Sequence, residues 1–342
     1  MKVFVTGGAG FIGSNLVHHI LEKRPSWSVV VLDALTYAGN LENIASCIAS
    51  GKVAFERVDI TDSRALEECF SKHSPEMVFH LAAESHVDRS IMSGDAFVKT
   101  NVLGTENMVS LSRAHKVKRF LHISTDEVYG SLGPTGRFYE STPLDPTSPY
   151  AASKASSDLM ALAAAKTHNY DVIVTRCTNN YGPYQFPEKF IPLFTTHAME
   201  GLSLPLYGDG MNVRSWLHVR DHNEALLLLA EKGESGEVYN IGGTEADEIP
   251  NKIVAEAICS LLGASTSLIK YVSDRPAHDK RYAVDFSKIN KAVGWKPQVT
   301  FPDGLKETVT WYKENRQWWE RIKSGAYKEY YDQNYAYRGV SA

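Results

Sequence analysis

The stretch Lys2-Val3-Phe4-Val5-Thr6-Gly7-Gly8-Ala9-Gly10-Phe11-Ile12-Gly13 decides the fold. Its first five residues are β-branched or aromatic after Lys2 and read as a short strand. Gly7, Gly10 and Gly13 follow at a spacing of three, and Phe11–Lys23 reads as a helix opening directly from them. Glycine permits the tight turn and lets the backbone approach a pyrophosphate, while the helix N-terminus supplies N–H groups and the positive end of its dipole. A glycine triplet alone also occurs in plain structural turns, so its surroundings matter. Asp33 closes the next apolar run, Ser28–Asp33, 20 residues after Gly13. There a carboxylate can bond both ribose hydroxyls of a dinucleotide. The same carboxylate would repel a 2′-phosphate, so the pattern predicts NAD rather than NADP. Asp59-Ile60, ending the third run, is a candidate for the adenine edge.

Outward from this unit, short β-branched runs alternate with helical patterns. Val53–Val58, Met77–Leu81, Arg119–Ser124 and Asp171–Arg176 read as further strands, and Asp62–Lys72, Asn101–His115 and Tyr150–His168 as helices. Such alternation implies βαβ units and a parallel sheet buried on both faces. The predicted class is α/β, a Rossmann-type doubly wound parallel sheet with a smaller, discontinuous α/β substrate domain. The rhythm breaks near Tyr181, where Gly182-Pro183-Tyr184-Gln185-Phe186-Pro187 is turn-rich. A strand-like Tyr239-Asn240-Ile241 later runs into Gly242-Gly243. The predicted division is 1–178 with 215–243 as the NAD-binding unit, and 179–214 with 244–342 as the smaller substrate unit. Ligands of open α/β sheets sit beyond the carboxyl ends of the strands, so chemistry belongs in the cleft between the two.

The 342 residues are 43% hydrophobic and 22% charged, ordinary for a globular chain, with a net charge of −4. No basic excess points to nucleic acid. Cys47, Cys69, Cys177 and Cys259 are scattered and form no Cys-x-x-Cys pair, which predicts reduced thiols and a cytoplasmic setting. The opening strand leaves no room for a secretory leader, and the longest apolar stretches, such as Ala225–Ala230, fall far short of the roughly 20 residues that span a bilayer. A soluble protein is expected. The twelve histidines show no ligand spacing, and no metal is predicted.

Two further segments carry chemistry. Tyr150 and Lys154 are spaced Tyr-x-x-x-Lys on a predicted helix, one turn apart on one face. A free tyrosine, with a pKa of about 10, is a poor base at neutral pH, and an adjacent ammonium would lower it. With 17 tyrosines such a spacing arises by chance about once, so the pair alone is also compatible with a surface contact. Thr125-Asp126-Glu127 ends the fifth run, in front of the expected nicotinamide. A solvated acidic turn is the plain alternative, but paired carboxylates in unlike surroundings can share one proton and act as acid and base.

Together these pieces resemble the extended short-chain dehydrogenase/reductase superfamily and, within it, the dTDP-glucose 4,6-dehydratases. The resemblance runs through Thr6–Gly13, Leu35–Leu41 (Leu-Thr-Tyr-Ala-Gly-Asn-Leu), Leu81–Ser90 (Leu-Ala-Ala-Glu-Ser-His-Val-Asp-Arg-Ser) and Ser124–Gly130 (Ser-Thr-Asp-Glu-Val-Tyr-Gly). It continues through Asn179–Lys189 and Asp274–Asp279. The Thr-Asp-Glu segment is its most specific part, since sugar epimerases of the superfamily carry small or hydroxyl residues there.

The resemblance implies that Tyr150 takes the proton from the hydroxyl on sugar carbon 4 while hydride passes to NAD. Glu127 then abstracts the proton on carbon 5, Asp126 protonates the departing hydroxyl on carbon 6, and hydride returns to carbon 6. Thr125 would bond the oxygen on carbon 4, and Lys154 would also orient the nicotinamide ribose. Cofactor contacts are implied at Phe11, Ile12, Leu35 and Thr36, at Leu81, Ala82 and Ala83, and at Thr100 and Asn180. Substrate contacts are implied at Ser85, Asn179, Lys189 and Tyr207, and at Arg214, Asn251, Arg275 and His278. Arg214 and Arg275 would neutralise the diphosphate, which a guanidinium fork suits better than an ammonium; Tyr207 would stack on the base or belong to the core.

Two positions depart from the family pattern: Ser215 after Arg214, where Asp is usual in the bacterial dTDP-glucose enzymes and Ser occurs in some UDP-glucose dehydratases, and Ala277 in place of a glycine. The first leaves a UDP-sugar dehydratase open beside dTDP-glucose. A 4-epimerase and a catalytically silent NAD-binding regulator also stay compatible with the same residues, because a fold alone does not prove an activity. Small and apolar faces on Asn101–His115 and Tyr150–His168, helices that the family pairs across a two-fold axis, imply a homodimer. The aromatic tail Tyr327 to Tyr337 is expected to pack on its own fold.

Overall fold

A computed structural model describes residues 1–274 and 278–324. Seven strands form one sheet: β1 (Lys2–Thr6), β2 (Ser28–Asp33), β3 (Val53–Arg57), β4 (Met77–His80), β5 (Arg119–Thr125), β6 (Val172–Cys177) and, entering last, Val238–Ile241. Every pairing in it is parallel, in the order β3-β2-β1-β4-β5-β6 and then Val238–Ile241 at the far edge. Alternation within β1 explains why it sits in the middle. Val3 and Val5 join the apolar cluster on one face, with Leu16, Val17 and Ile20 of helix Phe11–Lys23 and Leu226 and Leu229 of helix Val219–Lys232. Phe4 joins the cluster on the other face, with Leu66 and Phe70 of helix Ser63–His73, Met108 and Val109 of helix Gly104–Ala114 and Ala161 of helix Pro149–His168. A strand apolar on both sides is stable only between two helical layers.

The predicted strand and helix ends lie within one to three residues of those observed. The largest difference is at Asn101, where the helix continues from π-helical turns over Val98–Leu103 before becoming regular at Gly104. Helix Pro149–His168 is fixed at its start by Pro149 in the first turn and by Ser148 Oγ, which accepts from Ala151 N at 3.1 Å.

The second unit gathers around Tyr181, Phe194, Leu206, Trp216, Ile258 and Leu305. Between β6 and Val238–Ile241 the chain adds β7 (Asn179–Tyr181), β8 (Leu204–Tyr207) and β9 (Val213–His218); counting on, Val238–Ile241 is β10, Glu248–Pro250 is β11 and Ile269–Val272 is β12. β9 lies between β7 and β11, and β8 pairs with β12. The chain thus leaves the small sheet at His218 and returns to the large one's layers from Val219, four residues beyond the expected 215. Ile289 and Trp295, from the expected sugar unit, pack into the large sheet's core, with Trp295 Nε1 donating to Asp221 O at 2.9 Å. Among the described residues no helix is long and apolar enough to cross a membrane. The tail Tyr327 to Tyr337, together with Arg275 and Ala277, lies outside the described residues.

Candidate active site

Because all strands of the large sheet run the same way, their carboxyl ends deliver Gly7, Asp33, Leu81 and Thr125 to one edge, and the strand order reverses between β1 and β4. Gly7 has φ +68°, and a Cβ there would meet Ala82 backbone at 2.9 Å; one on Gly13 would meet Gly7 O at 2.2 Å. Only glycines let helix Phe11–Lys23 approach the turn this closely. Gly10 caps that helix without any side-chain hydrogen bond, leaving its first-turn N–H groups to a ligand. Asp33 ties the loop down: its oxygens accept from Ala9 N at 3.0 Å and Leu35 N at 2.8 Å. A glycine cradle, an uncapped helix start and a carboxylate at the end of β2 fit a dinucleotide without a 2′-phosphate.

Of the predicted cofactor residues, Gly7, Gly10, Phe11, Ile12, Gly13, Asp33, Thr36, Asp59, Ile60, Leu81, Ala82, Ala83, Thr100, Tyr150 and Lys154 line one cavity. Leu35 does not; its backbone N–H serves Asp33 instead. Asn180 borders the adjoining cavity and donates to Thr178 O at 3.0 Å. One oxygen of Asp59 already accepts from Thr61 N and Thr61 Oγ1, both at 2.8 Å.

The adjoining cavity is lined by Ser85, Asn179, Lys189, Tyr207, Arg214, Asn251 and His278, together with Glu127. Ser85, Gln185, Glu188 and Lys189 border both cavities and mark where they meet. Tyr207 donates to Asp88 Oδ2 at 3.0 Å, and Lys189 to Ser85 O at 3.0 Å. The Arg214 guanidinium lies 4.5 Å from the Tyr282 ring centroid and donates to Asp279 O at 3.0 Å. Ser215 borders neither cavity; it is buried opposite Glu248 of β11. Among the described residues no three His, Cys, Asp or Glu side chains are grouped to hold a metal.

Thr125 and Asp126 border neither cavity but lie directly behind Glu127 in a tight turn, Asp126–Tyr129. Thr125 Oγ1 accepts from Glu127 N at 3.2 Å and donates to Asp126 Oδ1 at 3.3 Å, while Asp126 Oδ2 has no hydrogen-bond partner. Asp126 is 2% exposed, and burial, reinforced by the Glu127 carboxylate, pushes its carboxyl up to about 8; Arg214 pulls the other way. Asp126 is therefore protonated at neutral pH, and the two neighbouring carboxyl groups stand in unlike surroundings. The solvated acidic turn is excluded for Asp126.

Tyr150 departs from the expectation. Burial and the Glu127 charge hold its phenol well above the usual tyrosine value. Lys154 does not offset this: its Nζ donates to Ile123 O at 2.8 Å at the wall of the cofactor cavity, and burial lowers its own pKa to about 8. Helical spacing put the two side chains on one face, and one of the three N–H groups of the Lys154 ammonium goes to the carbonyl of Ile123 in β5.

Sequence reasoning missed Tyr37, Asp88, Glu188 and Tyr282. The first three stand inside quoted segments that were read for other residues; Arg89 lies 4.0 Å over the Tyr37 ring and 3.3 Å from Glu188. Tyr282 carries no local signal and reaches the cavity only through the pairing of the chain near Arg281 with Val213.

The sequence pattern of the GDP-mannose 4,6 dehydratase family matches residues 4–308. A dTDP-glucose 4,6-dehydratase of Actinoplanes sp. is 50% identical over 93% of this chain and 100% of its own length. The dTDP-glucose 4,6-dehydratase 1 of Escherichia coli K12 is 47% identical over 98% and 99%. Among solved structures, a Streptomyces venezuelae dTDP-glucose 4,6-dehydratase with NAD and TYD bound superposes with a TM-score of 0.91 at 48% identity, covering 94% of this chain and all of its own. A UDP-glucose 4-epimerase of Thermotoga maritima with UDP-glucose gives 0.85 at 31%, covering 92% and 100%.

Proposed function

The chain belongs to the GDP-mannose 4,6-dehydratase family, and from that membership we propose that it is an NAD-dependent hydro-lyase that converts dTDP-glucose to dTDP-4-keto-6-deoxyglucose. One observation carries the choice of elimination over simple epimerisation: Asp126, protonated and buried, sits beside Glu127, which lines the sugar cavity. A dehydratase needs an acid for the leaving hydroxyl and a base for carbon 5 within reach of one sugar. An epimerase needs neither.

Gly7, Gly10, Gly13 and Asp33 are the residues that would hold NAD. When bound, NAD would supply the acceptor for hydride from carbon 4 and its donor to carbon 6, and a positive charge that would favour the Tyr150 phenolate. Tyr150 accepts the proton of the carbon-4 hydroxyl, and Thr125 orients the oxygen by turning toward it the one hydroxyl proton that it otherwise gives to Asp126 Oδ1. The ketone so formed acidifies carbon 5, whose proton passes to Glu127. Asp126 then donates its proton to the carbon-6 hydroxyl, which leaves as water, and Glu127 gives its proton back to carbon 5 as carbon 6 regains hydride. Each proton transfer is worth about 10²–10⁴-fold in rate. The larger unit serves the cofactor. The smaller one serves the nucleotide, with Arg214 opposing its diphosphate.

Incubation with dTDP-glucose should yield a product lighter by one water, with no net reduced cofactor. An isomer of unchanged mass would favour the epimerase, and absence of turnover the silent regulator. Since Ser215 borders neither cavity, the uridine alternative loses its direct support, and competition between dTDP-glucose and UDP-glucose should favour the former. A homodimer is supported by exposed apolar side chains on neighbouring helical segments: Met92 is 64%, Val98 58%, Leu103 49% and Leu159 58% exposed. The four free, buried cysteines support a reducing, cytoplasmic setting.

A further inference from the structure

A buried polar chain that the reaction above does not use lies beneath the site. Asp158, one turn beyond Lys154 on helix Pro149–His168, is fully buried. Its Oδ2 accepts from Arg176 Nε of β6 at 2.9 Å. Arg176 Nη1 donates to Tyr129 Oη at 2.9 Å, and Tyr129 donates onward to Asn240 Oδ1 of β10 at 2.8 Å. Tyr129 is the last residue of the turn that begins at Asp126. One ion pair thus joins the turn carrying Asp126 and Glu127 to the helix carrying Tyr150 and Lys154. An apolar filling of the same volume would avoid desolvating two charges, so stability alone does not account for the pair. What it adds is a fixed, directional link between two elements that must address one sugar.

We propose that Tyr129, Arg176 and Asp158 are positioning residues that set the acid–base turn against the tyrosine helix, and that elimination depends on this link more than oxidation does. The inference rests on the dehydratase reading. Oxidation at carbon 4 draws its proton acceptor from the helix. Elimination draws both its groups from the turn. A turn that shifts by about 1 Å leaves the first step largely intact and slows the second by up to about 10²-fold.

Tyr129→Phe, in the full chain loaded with NAD, tests this. It keeps the ring, stacked 5.0 Å from Phe138, and removes only the hydroxyl. The expected result is a kcat lower by about 10- to 100-fold with KM unchanged, and a somewhat lower melting temperature because Arg176 Nη1 and Asn240 Oδ1 lose a buried partner. Reduced nicotinamide absorbance should build up during turnover, and exchange of the carbon-5 hydrogen with solvent deuterium should slow. Arg176→Lys, which keeps a charge for Asp158 but loses the second N–H, should give the same signature. Slowing without that build-up of reduced nicotinamide would mean the link is only structural and overturn the proposal. A wild-type chain that removes no water from dTDP-glucose would overturn the function proposed above and this inference with it. Normal wild-type turnover with an unaltered Tyr129→Phe profile would overturn this inference alone.

Discussion

Replacing Asp126 by Asn should make the protein more stable and nearly inactive at once. The carboxyl ionises with an ordinary value of 3.8 in the unfolded chain, whereas burial holds it at about 8 in the folded one. At pH 7 the unfolded chain carries the charge and the folded chain does not. Keeping a proton about three units above its ordinary value costs on the order of 4 kcal/mol, at about 1.4 kcal/mol per unit. Asn is neutral in both states and escapes that cost. Its amide must be buried where Asp126 Oδ2 already lacks a partner, which takes back about 1–3 kcal/mol. The net gain at pH 7 should be about 1–3 kcal/mol. The sign follows from the raised value: the stability of the wild type is full below about pH 4, falls as pH rises toward 8, and then levels. The gain of Asp126→Asn over wild type should therefore turn into a deficit of about 1–3 kcal/mol in acid and grow to a plateau near pH 8. Thermal unfolding of both proteins across that range measures it. The same substitution removes the proton donor for the leaving hydroxyl, so kcat should fall about 10²–10⁴-fold. A variant no more stable at pH 8 than at pH 4, relative to wild type, would refute the buried neutral carboxyl. Retained turnover would refute its role as acid.

Three other outcomes follow from the same geometry. Glu127→Gln should still oxidise carbon 4 but not eliminate, so reduced cofactor accumulates on the protein; full turnover would displace Glu127 as the base. Gly13→Ala would drive a Cβ to 2.2 Å from Gly7 O, pushing the helix off the turn. The purified variant should carry little NAD, and an unchanged NAD content by extraction and absorbance would count against the cradle. Leu159→Glu puts a charge in the exposed apolar patch and should leave a monomer by light scattering, while a wild-type mass that is already monomeric would remove the dimer.

Much of this protein was legible in order along the chain, and much was not. The glycine turn, the carboxylate of Asp33 and the two-faced strands could be read from residues because their causes are local: a missing Cβ, a strand's end, an alternation of side chains. The composition of each cavity wall could be read only where a motif already pointed to it. Tyr282 shows the limit, since nothing near it in sequence marks it, and only the pairing of Arg281 with Val213 carries it to the sugar cavity.

By itself the sequence determined a doubly wound sheet, a dinucleotide turn and two adjacent carboxyl groups at the end of β5. Tertiary structure alone decided what those carboxyl groups are. Asp126 holds its proton because it is shut away from water, Glu127 faces the cavity, and the Tyr150 phenol is held up by burial and the Glu127 charge. Proton affinity depends on desolvation and on charges brought close by distant segments, and neither is a property of neighbours in sequence.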